Sequence, residues 1–418
     1  MQDRQIPRNP KAPPLTKELI DLLTELCFRP DDVLKPVDLI FVFGASTDYK
    51  KLAEITRLLL DKNIAQKVFV SGGGSKYSDT LKILDRPESW YILQEINPSN
   101  YPNVQFFSET ISTNCRENVT EALKILDFSS YKSILFVSKG HDCKRCYLTL
   151  QKFAPNAKLL QRTFYGKYHD TQELTKEGWS KPEFGRTRVW GEFLRIKTYG
   201  ERGDIAYDPE TKILVDKITK LSKTISLENL VLTIQDKAKH KSPFIIALSG
   251  FGGAGKSTTA NKLASYLEFT DIISIDDFIL DRLSNRSDDW RGFDWERLTE
   301  EVLQPLRSNN KTITYGVYNW KENKIVQNKT LRVSQYVIIE GVGLLRPELQ
   351  SYFDLSIWID APLEIASEQG KKRDREEYKA NHDQLWDTLW IPNDNDYYKK
   401  YHPEQITDFL LETRGDNF

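Results

Sequence analysis

Methionine occurs once in this chain, at position 1, histidine five times and cysteine four times among 418 residues. Four cysteines in so long a chain cannot make a disulfide framework, so a reducing cytoplasm is the expected setting. The histidines at 141, 169, 240, 382 and 402 show no ligand spacing such as H-E-x-x-H and offer no metal motif. No apolar run approaches roughly 18 residues, so no transmembrane helix is expected. The opening MQDRQIPRNPKAPP is polar and Pro-rich and lacks the apolar core of a signal peptide. An excess of one charge is also missing. The formal net charge is −1, which argues against a dedicated nucleic-acid binder. What remains is ordinary for a globular protein, with 39% hydrophobic and 28% charged residues. The length exceeds one ordinary core, so two domains are expected.

Residues 1–14 read as a disordered leader. Leu15, Leu19, Leu22, Leu23 and Leu26 then recur at helical spacing. The runs Leu39–Phe43 and Lys67–Ser71 read as strands with a helix between them. Further strands are expected at Val104–Phe107 and Ile134–Val137, around a helix from Asn118 to Leu126. The alternation predicts a mostly parallel sheet flanked by helices, and it fades after Tyr199. It resumes with strands at Phe244–Leu248, Ile272–Ile275, Tyr336–Ile339 and Leu355–Ile359. The expected fold class is therefore α/β in two domains, 15–208 and 241–418, joined by a Lys-rich helical linker at 209–240.

Gly250–Ser257 reads GFGGAGKS, the pattern G-x-x-x-x-G-K-S, directly behind the apolar run Phe244–Leu248. A buried strand that breaks into a Gly-rich turn and then a helix is a phosphate cradle. Gly250, Gly252, Gly253, Ala254 and Gly255 let backbone N–H groups close on phosphate oxygens. Lys256 is placed for the β and γ phosphates of ATP, Ser257 for Mg²⁺, and Thr258 completes the turn. Two later strands end in acids, Asp276-Asp277 and Glu340. Carboxylates at the C-terminal ends of parallel strands face the ligand crevice. Asp276 is assigned as the base toward an acceptor hydroxyl, with Glu340 as the metal-side acid and Asp276 beside it. The plainer alternative is that Asp276 and Asp277 cap the next helix.

The succession GFGGAGKST, IDDF, GFDWERL, YNW, IIEGV and KKRD resembles the uridine kinase-like P-loop kinases, over about residues 240–413. That resemblance implies a P-loop kinase domain that uses ATP and Mg²⁺ to phosphorylate a small-molecule hydroxyl. It makes Asp276 the catalytic aspartate of a D-x-F motif, which includes Asp277 and Phe278, and Glu340 the glutamate of an EG motif. Lys372-Arg373-Asp374 matches the family's lid in part, with Arg373 and Arg375 as candidates for the moving phosphoryl charge. A solvated helix face is the alternative for KKRDREEY. Asp288, Asp289 and Asp294 fall in the acceptor segment, and Tyr318 matches a tyrosine near the nucleobase. Asn319 replaces the family's aspartate, and KENK stands where a base-reading histidine belongs, which departs from pyrimidine recognition. The aromatics Trp386, Trp390, Tyr397 and Tyr398 either stack on an acceptor or pack under the lid, and the second is favoured.

In the N-terminal half, Ser71-Gly72-Gly73-Gly74 and the segment Glu109–Asn118 form two candidate anion-binding turns. A capping box without a ligand explains the second turn equally well. The motifs FVFGAS, VSGGG, ETISTNCREN, SKGHDCKRCYLT and GEFLRIKTY resemble the YdcF/SanA/ElyC-like family, over about residues 36–206. The resemblance implies a Rossmann-like domain whose pocket takes in Ser71, Gly72, Gly73 and Glu88. It adds Glu109, Ser112, Asn114, Glu117 and Asn118 from the second turn. Lys139 and Arg145 would meet an anionic metabolite, and His141 either touches it or lies on a loop surface. Cys143-x-x-Cys146 has no second pair and reads as structural thiols rather than zinc. The expectation is a small-molecule kinase fused to a domain that binds or processes an anionic metabolite. The alternative is an ATP-gated switch.

Overall fold

The computed structural model describes all residues except 1–5, 8, 46, 75–84, 169–171, 281–288, 320 and 413–418. It divides into two compact units, Met1–Ser222 and Lys223–Phe418.

The N-terminal unit begins with α1 (Lys17–Cys27), followed by β1 (Leu39–Val42), α2 (Tyr49–Asp61), β2 (Lys67–Val70) and α3 (Glu88–Ile96). Next come β3 (Gln105–Ser108), α4 (Cys115–Ala122), β4 (Ser133–Lys139), α5 (Cys143–Phe153) and β5 (Lys158–Phe164). A short ladder of β6 (Lys167–Tyr168) and β7 (Gln172–Glu173) precedes α6 (Glu183–Glu201) and α7 (Pro209–Lys223). The main sheet has the order β3-β2-β1-β4-β5, all parallel. Helices on both faces bury β1 completely, which is why it reads LIFV without alternation. Strand order reverses between β1 and β4, so the C-terminal ends of these two strands flank the expected crevice.

The C-terminal unit starts with β8 (Thr224–Ile225), α8 (Leu227–Ala238), β9 (Phe244–Ser249), α9 (Lys256–Tyr266) and β10 (Thr270–Ser274). The short helices α10 (Trp295–Leu298) and α11 (Gln304–Arg307) lead to an antiparallel hairpin, β11 (Thr312–Asn319) and β12 (Lys324–Arg332). Then follow β13 (Tyr336–Glu340), β14 (Leu355–Asp360), α12 (Leu363–Glu376), α13 (Asp383–Leu385), α14 (Ile391–Tyr401), α15 (Pro403–Ile406) and β15 (Phe409–Glu412). Six parallel strands run β10-β13-β9-β14-β15-β8. Every residue of β9 is buried, and Leu248, Glu340 and Ser274 align across β9, β13 and β10. This register brings three strand ends to one level.

The stretch expected to be a linker is divided between the units. Val215 and Ile218 of α7 pack in the N-terminal core, whereas Leu230 and Ile234 of α8 pack in the C-terminal one. The described part of the expected leader is not loose. Ile6 and Pro10 are buried, and Arg195 donates to the Pro7 carbonyl at 3.0 Å.

Candidate active site

β9 ends at Ser249, whose hydroxyl donates to the Gly341 carbonyl at 2.8 Å and joins the phosphate loop to the end of β13. Gly253 and Gly255 have φ of +76° and +85°, a conformation that disfavours any side chain. A Cβ on Gly253 would also lie 2.0 Å from the Ala366 carbonyl of α12. The loop glycines thus serve both the turn and the close approach of the lid helix. Ser257 and Thr258, in the first turn of α9, are exposed at the open side.

Lys256 donates to the Phe251 carbonyl at 2.7 Å. Burial lowers its pKa, and the negative charges of Glu340, Asp394 and Asp276 counter that loss. Asp276 lies in the tight turn after β10, with its N–H on Ser274 Oγ at 3.3 Å. Its side chain opens to solvent, yet the surrounding protein raises its carboxyl pKa against the pull of Lys256 and Arg373. Glu340 is buried at the end of β13, where burial raises it further. Ser257 Oγ donates to Glu340 Oε1 at 3.2 Å. The charge of Asp276 adds to that rise, and two acids around one lysine make an electron-rich set of oxygens suited to a divalent cation. Among the described residues no three His, Cys, Asp or Glu side chains form a cage of their own. Mg²⁺ needs none, because it takes one or two carboxylates and completes its shell with phosphates and water.

Of the two lid arginines, only Arg373 acts on this cluster. Its charge reaches Asp276 and Lys256 while its guanidinium bonds Asp374 Oδ1 at 2.9 Å. Arg375 instead pairs with Asp383 at 2.7 Å on the surface, so the expected second arginine is engaged elsewhere.

The expected acceptor residues mostly serve the fold. Asp289 is buried and held by Lys400, Arg291 and the Tyr401 hydroxyl, which pins α14 to that segment. Asp294 caps α10 by accepting the Arg297 N–H at 2.9 Å. Phe278 is buried and stacks on Tyr315 at 5.4 Å. Tyr318 is buried, and its hydroxyl donates to Asn323 within the hairpin at 2.5 Å. Each thus has a partner within the protein, and Phe278, Asp289 and Tyr318 are buried while Asp294 is half-buried. Asp288 lies outside the described residues. Asp277 stays half-buried beside Asp276, with its carboxyl raised by burial, and can still face an acceptor.

No local pattern in the sequence marks Asp394. It is 1% exposed on α14, accepts the Gly252 N–H at 2.7 Å and the Trp290 indole N–H at 2.9 Å, and is pushed by burial up to about 6. The aromatic tail packs as expected. Trp386 is buried over Gly252 and Gly370 and donates to Asp374 at 2.9 Å, and Tyr397 is buried with its hydroxyl on the Leu345 carbonyl.

In the N-terminal unit, Ser71, Glu109, Ser112 and Asn118 do converge. Glu109 accepts N–H bonds from Gly72, Ile111 and Ser112 at 2.7, 2.8 and 2.9 Å, and hydroxyl bonds from Ser71 and Ser112. Burial raises its carboxyl, but these bonds outweigh burial and hold it below its ordinary value. Asn118 Nδ2 donates to Ser71 Oγ at 2.5 Å. The amides of Gly73 and Gly74 are taken by the Ser112 carbonyl. Asn114 caps α4 by accepting the Glu117 N–H, and the Glu117 carboxylate accepts from the Thr113 N–H and hydroxyl, one residue before the cap. The amides of Gly72 to Gly74 in the first turn, and of Ile111, Ser112, Thr113 and Glu117 in the second, thus bond the protein's own acceptors. The expected cations are also matched within the protein, Lys139 by Asp48 at 2.5 Å and Arg145 by Glu192 at 2.6 Å. His141 is buried rather than on a loop surface. Glu88 is buried with its carboxylate close to Gly44 and Gly72.

Residues 245–409 match the Phosphoribulokinase / Uridine kinase family. They form a P-loop kinase domain of that family. A pantothenate kinase of Bradyrhizobium sp. (strain BTAi1) is 26% identical over 233 residues, covering 48% of this chain and 72% of its own. A uridine kinase of Clostridium novyi is 30% identical over 135 residues, covering 28% of this chain and 62% of its own. The solved structure of a possible uridine kinase from Bacillus stearothermophilus aligns with 21% identity and a TM-score of 0.36, over 44% of this chain and 96% of that one. The family match lies wholly within the C-terminal unit, which is accordingly a small-molecule kinase acting on an alcohol group. Among the described residues no helix is long and apolar enough to cross a membrane.

Proposed function

We propose that the C-terminal unit transfers the γ-phosphoryl group of ATP to a hydroxyl of a nucleoside- or sugar-like molecule, or of a pantothenate-like one. The observation that carries this reading is the convergence of Lys256, Ser257, Asp276 and Glu340 at three aligned strand ends. Lys256 and the amides around Gly253–Ser257 bind the phosphates and orient the terminal group. Asp276 accepts the acceptor's hydroxyl proton, with its carboxylate held between Lys256 and Arg373. Arg373 balances charge on the transferring group. Ser257, Glu340 and Asp276 would hold Mg²⁺, which supplies charge neutralisation at the phosphates. For the N-terminal unit the reading is a small-metabolite pocket in the crevice near Ser71 and Asn118. Its proposed ligand is an anionic metabolite, with Lys139 and Arg145 sharing their charge between Asp48, Glu192 and the ligand.

The test is ADP release from MgATP against a panel of pantothenate, uridine, other nucleosides and sugars. Acceptor-dependent release supports the kinase. Slow release that ignores every acceptor supports an ATP-gated switch instead. Thermal shifts with phosphorylated and neutral metabolites test the N-terminal unit. Stabilisation by neutral compounds alone would remove the anionic ligand.

A further inference from the structure

The four cysteines form two neighbourhoods, and these do not follow the C-x-x-C spacing. Cys143 Sγ lies 3.4 Å from the Cys27 carbonyl and accepts the Arg29 N–H at 3.3 Å. Both thiols are fully buried, and burial drives them up, Cys143 to about 12. Cys146 instead faces Cys115, with 3.6 Å between the sulfurs. Cys115 is the first residue of α4, only half-buried, behind the Asn114 cap. Thr149 Oγ1 lies 3.6 Å from its sulfur.

The Cys146 thiol holds Cys115 below its ordinary value, outweighing burial, and Arg145 adds to the effect. Burial pushes Cys146 well above its own. A half-buried thiol with a lowered pKa, facing a buried one with a raised pKa across 3.6 Å, matches the division of labour between an attacking and a resolving cysteine.

We propose that Cys115 and Cys146 are a reversible disulfide site, oxidised by hydroperoxides and restored by thiol reductants. The Cys115 thiolate attacks a peroxide oxygen. An S–O bond forms, the O–O bond breaks, and the departing oxygen takes up a proton, leaving Cys115 as a sulfenic acid. Cys146 sulfur then attacks the Cys115 sulfur. The S–S bond forms, the S–O bond breaks, and the Cys146 proton leaves with the hydroxide as water. The sulfurs close from 3.6 Å to about 2.05 Å, a movement within the reach of χ rotations. The bond ties α4 to α5. α4 also carries Asn118, which donates to Ser71 Oγ at 2.5 Å, so the link lies on the helix that reaches the crevice proposed above. This site does not depend on the kinase reading.

The test treats reduced, full-length protein with equimolar hydrogen peroxide at neutral pH, blocks the remaining thiols with iodoacetamide, and maps peptides by mass spectrometry. The expected product is a Cys115–Cys146 cross-link that dithiothreitol removes. It should form at least about tenfold faster than any oxidation of Cys27 or Cys143. In Cys146→Ser, the Cys115 sulfenic acid persists and is captured by dimedone. If that variant fails to fold, the wild-type map decides alone. A map in which Cys115 stays reduced, advances to sulfinic acid without a link, or joins Cys143 overturns the proposal.

Discussion

Lys256 is the charge around which the catalytic cluster is balanced. Burial weakens its hold on a proton, and Glu340, Asp394 and Asp276 offset part of that loss. Lys256→Ala leaves three acids facing an incoming triphosphate, so transfer should fall below detection in an ADP-release assay. Asp276→Asn keeps the volume and removes the base. MgATP affinity should stay within about threefold while turnover falls about 10²- to 10⁴-fold, and calorimetry beside steady-state kinetics separates the two. Unchanged turnover would refute the base assignment. Asp276 must be deprotonated to act, and the protein packed around its carboxyl raises its pKa. Activity should therefore be lost as pH falls through that raised value, at a higher pH than for an ordinary aspartate. A pH profile of kcat/KM reads this acid limb directly. Asp276 and Glu340 are legible in the sequence because each ends an apolar strand run. Asp394 is not, because its bond to Gly252 spans 142 positions and no local pattern announces it. Asp289 misleads for the same reason, since its lysine partner lies 111 positions away.

At the scale of elements, the phosphate loop and α12 meet so closely that Gly253 has no room for a methyl group. Gly253→Ala adds a strained φ to that clash. It should destabilise the C-terminal unit by on the order of 1–3 kcal/mol and weaken MgATP binding, as thermal unfolding and titration would show. In the N-terminal unit, burial lowers the pKa of His141 from 6.5 to about 3. Between those values the unfolded chain binds a proton that the folded one refuses. The contribution of His141 to stability is thus full above about 6.5 and is lost as pH falls toward 3. His141→Gln should flatten the acid side of the unfolding midpoint against pH. An equally steep acid limb in the variant would show that other groups set it. Strands such as β1 and β9 are legible because both faces are buried and the sequence is continuously apolar. The hairpin strand β12 escapes notice because KIVQNKTLR is exposed along nearly its whole length. The two residues of β8 are too few to carry any period.

At the scale of the molecule, the chain is two cores, and the boundary falls at Ser222/Lys223 inside a stretch whose Lys-rich helical stripe resembles a linker. Helical spacing shows that Leu230 and Ile234 share a face, but not which core they join. A fragment of residues 223–418 should retain acceptor-dependent turnover within about threefold of the full chain, because the whole P-loop domain lies in it. A fragment starting at 241 loses β8 and α8 and uncovers the sheet that Leu230 and Ile234 bury. Each buried leucine or isoleucine is worth about 1.5–3 kcal/mol, so that fragment should unfold well below the first on heating. Equal midpoints would make α8 an ornament rather than part of the domain.

The central claim is that a triphosphate lies on the amides before Lys256 with Asp276 poised toward an acceptor hydroxyl. Incubation of γ-labelled ATP, Mg²⁺ and the acceptor panel with wild-type protein and Asp276→Asn tests it most directly, with product separated from free phosphate. Labelled acceptor is expected from the wild type and almost none from the variant at equal ATP occupancy. Label appearing only as free phosphate, or on the acceptor to the same extent in both proteins, would contradict it.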